Sequence, residues 1–245
     1  MSDDPCCPVI ELREYTLKPG QRDVLIELFE REFVETQEAT GMRLVGQFRD
    51  VERPDRFVWV RGFPDMRSRA ESLQAFYGGP VWAAHRDAAN TTMIDSDNVL
   101  LLRPATASSA FAMPSAARAP AGARERPPSR IVATICAFDA PVDDAFMRFF
   151  ESDIEPASAA AGAEPIARFV TEPSENTFPR LPIRSGEHVF VAFTRFADEA
   201  ALAACNARLA ASSRWTEQLW PALTGRLKSA PQRLVLAPTA RSRLR

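Results

Sequence analysis

The sequence predicts an α+β fold: two tandem ferredoxin-like (β-α-β-β-α-β) units packing as a pseudo-dimeric α/β barrel. Three observations carry this. First, the chain repeats itself. Phe29-Glu30 recurs as Phe150-Glu151, Gly41 as Gly162 and Phe48 as Phe169, all at an offset of 121. Phe57-Val58 then recurs as Phe190-Val191, Phe63 as Phe196, Asp65 as Asp198 and Trp82 as Trp215, at 133. Second, residues 105–129 between the copies have the Ala/Ser/Pro composition of a flexible linker. Third, the hydrophobic period within a copy switches between two and 3.6 in the order this fold requires. A repeat of about a hundred residues has the size of a small domain. The expected organisation is a first domain at 1–104, the linker at 105–129, a second and diverged domain at 130–238, and a basic tail at 239–245.

In the first copy, residues 9–17 alternate as a strand and Lys18-Pro19-Gly20 breaks it. Val24, Leu25, Leu28, Phe29 and Phe33 recur at helical spacing, and Gly41 supplies a left-handed stop. Residues 44–49 and 57–63 read as strands joined by a turn-rich segment. Residues 67–90 form a helical region interrupted at Gly78-Gly79-Pro80. Pro80 suits the first turn of a new helical piece, because its missing N–H falls where no intrahelical partner exists. Asp95-Ser96-Asp97 is assigned to a helix-to-strand turn, with too few ligands for a hard cation. Residues 99–103 close the unit as a buried strand. The second copy carries an insertion at 171–188, expected to act as a lid, to protect a sheet edge, or to be disordered.

Both helices of such a unit lie on one face of its sheet, and the opposite face must also be covered. The simplest solution packs the two sheets face to face, within one chain or by exchange in a homodimer.

Composition narrows the function classes. The 245 residues carry a formal net charge of -2, which opposes a nucleic-acid surface. No apolar run approaches the length of a membrane helix. Met1-Ser2-Asp3-Asp4 lacks secretory or transit character, so the cytoplasm is the expected compartment. All but two of the 30 basic residues are arginine, which resembles the codon bias of a GC-rich, bacterial genome. Adjacent Cys6 and Cys7 disfavour pairing with each other, and Cys136 and Cys205 read as buried reduced thiols. His85 and His188 sit in different copies, which makes a multi-histidine metal site improbable, and no metal or cofactor is expected. Phosphate-loop, dinucleotide-binding, nucleophile-elbow and zinc-helix motifs do not occur. The 241–245 tail reads as basic and mobile.

The stretch Glu11-Leu12-Arg13-Glu14-Tyr15-Thr16-Leu17-Lys18-Pro19-Gly20, followed by an amphipathic helix and Gly41, resembles the opening of the NIPSNAP family. Trp82, Trp215 and the closing Leu101 to Pro104 fit the same pattern. The second half matches at its Phe, Gly and Trp positions but lacks the opening motif. The resemblance implies the dimeric α/β-barrel superfamily, which includes cofactor-independent monooxygenases and haem-degrading enzymes. The mitochondrial members it brings in act in organelle quality control through partner binding.

Each copy serves as a control for the other. Trp82 is matched by Trp215, so it reads first as structural, with stacking against a ligand as the other role. His85 has Gln218 as its counterpart and is suited to acid, base or haem-ligand chemistry. On the strands, Glu11, Arg13 and Tyr15 face Val132, Thr134 and Cys136 as counterparts. Trp59 and Arg61 correspond to Ala192 and Thr194. Gln47 and Arg49 are assigned to the same face, together with Val45. Charges enclosed between two sheets must be paired or touch a ligand. Three arginines against one glutamate would be completed by an anionic small molecule. Alternatively, Glu11 pairs with Arg13 or Arg61 and the spare arginines reach solvent at the barrel rim.

The candidate site is therefore Glu11, Arg13, Arg49, Trp59, Arg61 and Trp82 for ligand binding, with His85 and Tyr15 as candidate catalytic groups. The leading expectation is a protein that binds a small organic molecule, including an anionic one, or a protein partner, without a recognised catalytic motif. A homo-oligomer is left open. The alternative is a cofactor-independent monooxygenase or isomerase using the first-half pocket. A haem-binding protein with His85 as axial ligand stands third.

Overall fold

The structure is a computed structural model that describes residues 5–245. The first half contains β1 (Pro5–Cys6), β2 (Val9–Leu17), α1 (Arg22–Leu28), a π-helical stretch at Phe29–Phe33, α2 (Val34–Glu38), β3 (Arg43–Asp50), β4 (Arg56–Phe63), α3 (Met66–Tyr77), α4 (Pro80–Thr92) and β5 (Met93–Pro104). The connection carries β6 (Phe111–Ala112). The second half contains β7 (Arg130–Phe138), α5 (Asp144–Phe149), a π-helical stretch at Phe150–Ile154, α6 (Glu155–Ala160), β8 (Glu164–Thr171) and β9 (His188–Phe196). It ends with α7 (Glu199–Ala211), a π-helical stretch at Arg214–Leu219, α8 (Trp220–Thr224) and β10 (Gln232–Pro238).

Repeated residues do repeated local work. Asp65 and Asp198 cap α3 and α7 by accepting the backbone N–H groups of Ser68 and Ala201. Gly41 and Gly162 adopt φ of 94° and 102°, the left-handed conformation that ends the first helical stretch of each half.

Strands run β3-β4-β2-β5 in the first half and β8-β9-β7-β10 in the second, the same order of equivalent elements. The two sheets meet at their edges, β5 with β8 and β10 with β3, to close an eight-stranded barrel within one chain. Its interior is apolar and includes Ile10, Leu12, Phe48, Val58, Val60, Leu100 and Leu102 from the first half, with Ile131, Phe169, Val191 and Leu236 from the second. Helices cover the outside.

This arrangement corrects the expected placement of the charged face. Glu11, Arg13, Tyr15, Trp59 and Arg61 do share one face by the period of two, but it is the outer face, beneath the helices. The reason is that the opposite face is apolar in both halves, and closing the barrel removes that face from water. Val45 is a second correction. The ladder between β3 and β4 shifts register between Leu44 and Gly46, so Val45 enters the barrel while Gln47 stays outside. Asp95-Ser96-Asp97 lies inside β5 and not in a turn, because pairing with β2 extends to Met93 opposite Leu17.

The connection is not a free tether. Phe111 is fully buried in the barrel, with its ring 4.9 Å from Phe169 and 5.0 Å from Phe193. Arg118 donates to the Glu38 carboxylate at 2.6 Å and to the Leu44 carbonyl at 2.9 Å. The C-terminal tail is likewise fixed. Thr239 and Leu244 donate their backbone N–H groups to the carbonyls of Gln47 and Val45, both at 2.9 Å, and Arg241 pairs with Glu35. The tail thereby occupies the β3 edge that β10 leaves open, which explains why a basic segment is ordered here. Cys6 and Cys7 form a disulfide with each other, against expectation. Cys7 takes a positive φ of 67° and lies against Gly62, where any side chain would overlap it. Among the described residues, no helix is long and apolar enough to cross a membrane.

Phe111→Ala is expected to cost about 3–5 kcal/mol of stability by urea unfolding, since it empties the space between Phe169 and Phe193. A loss within ~0.5 kcal/mol, the usual range for surface substitutions, would mean that the connection does not fill the barrel.

Candidate functional site

Glu11 is the centre of the charged cluster. Arg13 lies two residues along β2 on the same face and donates Nη1 to Oε2 at 2.7 Å. Arg61 sits directly opposite Glu11 in the ladder with β4 and donates Nε to the same oxygen at 2.8 Å. Arg69 descends from α3 and donates Nε to Oε1 at 2.6 Å. All four side chains are at most 1% exposed. Aromatic faces surround the two excess charges. The Arg61 guanidinium is 5.0 Å from the Trp59 ring centre, and that of Arg13 is 5.4 Å from the same ring. Burial acts to raise the Glu11 carboxyl pKa, but Arg61, Arg13 and Arg69 outweigh it and hold the group well below the usual carboxylate range.

The helices lie over this face and Arg13 and Arg61 are both buried, so of the three expected arginines only Arg49 reaches toward solvent. Glu11 pairs with both Arg13 and Arg61. Sequence reading missed Arg69, whose counterpart 133 residues on is Leu202. The comparison of copies that marked the strand residues carries the same signal on α3.

The inserted loop covers this cluster. Arg69 Nη1 donates to Asn176 Oδ1 at 3.0 Å and Thr177 Oγ1 at 3.2 Å, and Phe178 stacks on Tyr77 with ring centres 6.0 Å apart. Glu172 and Arg184 donate backbone N–H groups to Leu101 and Val99 at 2.9 Å, which also protects the β5 edge.

The remaining predicted residues divide. Tyr15 accepts from Arg13 Nε at 3.1 Å. Trp82 packs among Phe33, Phe76 and Tyr77. Tyr15 and Trp82 line a common pocket of about 160 Å³. His85 is not in its lining: its Nε2 lies 3.5 Å from Glu32 and its ring meets Phe33 edge-on. Arg49 pairs with exposed Asp23 at 2.8 Å, and the Gln47 amide oxygen accepts from Arg118 at 3.5 Å, so neither joins the Glu11 cluster. Among the described residues, no three His, Cys, Asp or Glu side chains gather as a metal site.

The larger cavity lies in the second half, about 510 Å³ between the outer sheet face and the helices. Its floor holds the counterparts of the charged cluster: Val132, Thr134, Cys136, Ala192 and Thr194. Where the first half packs Glu, Arg, Tyr, Trp and Arg into one continuous core, the second half has smaller side chains. Its outer core is divided into two clusters, one around Phe150 and Phe190 and the other around Phe196 and Leu202. The walls include Phe150, Trp215 and Trp220. Arg168 bridges Glu151 at 3.2 Å and Glu155 at 3.1 Å. Burial pushes the Cys136 thiol up to about 12. Ionisable groups point to the first half, where Tyr15 and Trp82 line the smaller pocket. The large-to-small replacements were the signal for a space.

A closed α/β barrel with a hollow beneath one set of helices defines the class. Two solved structures named "putative monooxygenase" share the fold over nearly their whole length. The one from Fusobacterium nucleatum has a TM-score of 0.55 and 9% identity, covering 96% of this chain and 93% of that one. The one from Lactobacillus acidophilus has a TM-score of 0.53 and 13% identity, covering 95% and 94%. An anthrone oxidase-like protein superposes with a TM-score of 0.54 at 11% identity, covering 98% and 94%. At these identities the likeness is one of fold. Within the chain, residues 10–109 match the NIPSNAP family model. No curated protein matches the chain.

Glu11→Gln leaves three buried guanidiniums without their anion and is expected to destabilise the fold by about 3–5 kcal/mol. Because the folded carboxyl is held below its ordinary value of about 4.3, its contribution is complete above that pH and is lost as pH falls through the folded value. Acid unfolding curves should therefore be steeper for the parent than for Glu11→Gln. Parallel curves would show that Glu11 does not anchor the cluster.

Proposed function

We propose that the chain is a duplicated ferredoxin-like unit whose second copy binds a small, mainly apolar organic molecule beneath its helices. The observation that carries this reading is the cavity of about 510 Å³ over the strand positions where the first copy holds its charged cluster. Ligand pockets typically span about 300–1,000 Å³ and are lined mostly by apolar and aromatic groups with a few polar ones. Phe150, Trp215 and Trp220 supply the aromatic wall, and Thr134, Thr194 and Arg168 supply polar contacts. The duplication is supported by the common strand order and by π-helical stretches at equivalent positions, Phe29–Phe33 and Phe150–Ile154.

The two copies then divide their tasks. The first is a charge-locked scaffold with only a small pocket beside its cluster, and the second keeps the volume that its smaller side chains release. A binding role suits this lining. Its thiol at Cys136 is held neutral by burial, and its Arg168 is already engaged by Glu151 and Glu155. A monooxygenase or isomerase at this place would need a proton acceptor against the substrate.

The neutral fluorescent probe N-phenyl-1-naphthylamine tests the reading. It should bind the full chain with a saturable, one-to-one gain in emission. Ala192→Trp restores the first copy's own side chain at that position and should weaken binding at least tenfold with the circular dichroism unchanged. Equal binding to Ala192→Trp and the parent would remove the cavity as the site.

A further inference from the structure

The pocket beside the charged cluster is built from donors. Tyr15 and Tyr77 both line it, and each hydroxyl oxygen already accepts from a buried guanidinium: Tyr15 from Arg13 Nε at 3.1 Å, Tyr77 from Arg61 Nη1 at 3.4 Å. Neither hydroxyl hydrogen has an acceptor among the described residues. A phenol that accepts from a cation is polarised to donate more strongly on its other side. Behind these two phenols, three guanidiniums share one carboxylate, and Arg69 Nη2 is buried without a partner. The surplus of positive charge is therefore close to the pocket and screened from water.

The walls set the shape of the occupant. Trp82 and Phe178 line the same pocket, and the exposed Arg180 of the inserted loop adds a cation to its lining. The volume of about 160 Å³ matches about five water molecules at their share of the liquid, or a molecule with one ring. Burial raises the Tyr15 pKa, so the hydroxyl keeps the proton it would donate.

We infer that this pocket is a binding site for a small planar carboxylate, of the size and shape of benzoate, received by the hydroxyls of Tyr15 and Tyr77 and enclosed by Trp82, Phe178 and Arg180. One carboxylate oxygen accepts from each phenol, and the ring lies between the aromatic walls. The roof comes from the 171–188 loop of the second half, so the site is completed only when both halves are present. It is separate from the apolar cavity of the second copy and does not depend on that cavity being occupied.

The test is calorimetric titration of the full chain with benzoate, and with neutral benzamide as the control. Benzoate is expected to bind one-to-one, and benzamide at least tenfold more weakly. Tyr15→Phe and Tyr77→Phe keep the rings and remove only the donors, and each should weaken benzoate binding at least tenfold. Ala192→Trp, which fills the other cavity, should leave it unchanged. The inference is overturned if benzoate does not bind, if benzamide binds equally well, or if the double Tyr15→Phe/Tyr77→Phe variant binds like the parent. Loss of benzoate binding in Ala192→Trp alone would place the carboxylate in the second copy, and would equally overturn it. Failure of the naphthylamine test leaves all of these outcomes readable.

Discussion

A sheet that buries both of its faces has to be covered twice, and each half of this chain has helices for one side only. The second cover is the other half. Closing the two four-stranded sheets at their edges buries Ile10, Leu12, Val58 and Val60 against Ile131, Val191 and Leu236, and it leaves no long unpaired edge except where connecting segments take over. Once that closure is fixed, the opposite face of every strand is committed to the space beneath the helices. The Glu11 cluster and the second-half cavity both lie in that space.

The two copies solve the same geometric problem with opposite materials. In the first, a single carboxylate holds three guanidiniums from β2, β4 and α3, and aromatic rings fill the rest. An assembly of this kind is costly to desolvate but stringent about geometry, because each group has partners at fixed positions. In the second, Val132, Thr134, Ala192 and Thr194 are too short to meet the helices, and a hollow results. One copy gains rigidity and the other gains room, from the same backbone plan.

Much of the fold was legible because it was written twice. The paired positions Gly41/Gly162 and Asp65/Asp198 end and begin helices by local rules that need no tertiary knowledge. The charged face was legible as well, since Glu11, Arg13 and Tyr15 alternate with apolar residues. Which side that face would take was not, because a period of two separates faces without saying which is inward. The bulge at Val45 was hidden for a related reason: one extra residue inverts the alternation with no compositional mark. Phe111 and Leu244 were lost in Ala/Ser/Pro-rich and Arg-rich surroundings, where one apolar side chain has little weight against its neighbours. The cavity escaped notice because attention to titratable groups passes over positions where a side chain has become small.

Each half reaches across to finish the other. The 171–188 loop roofs the first half, Phe111 in the connection plugs the barrel, and the residues after β10 run along β3. Separating the halves would therefore leave each without part of its own shell. The parts that bind the halves together lie outside the recurring sequence positions, in the connection, the inserted loop and the tail.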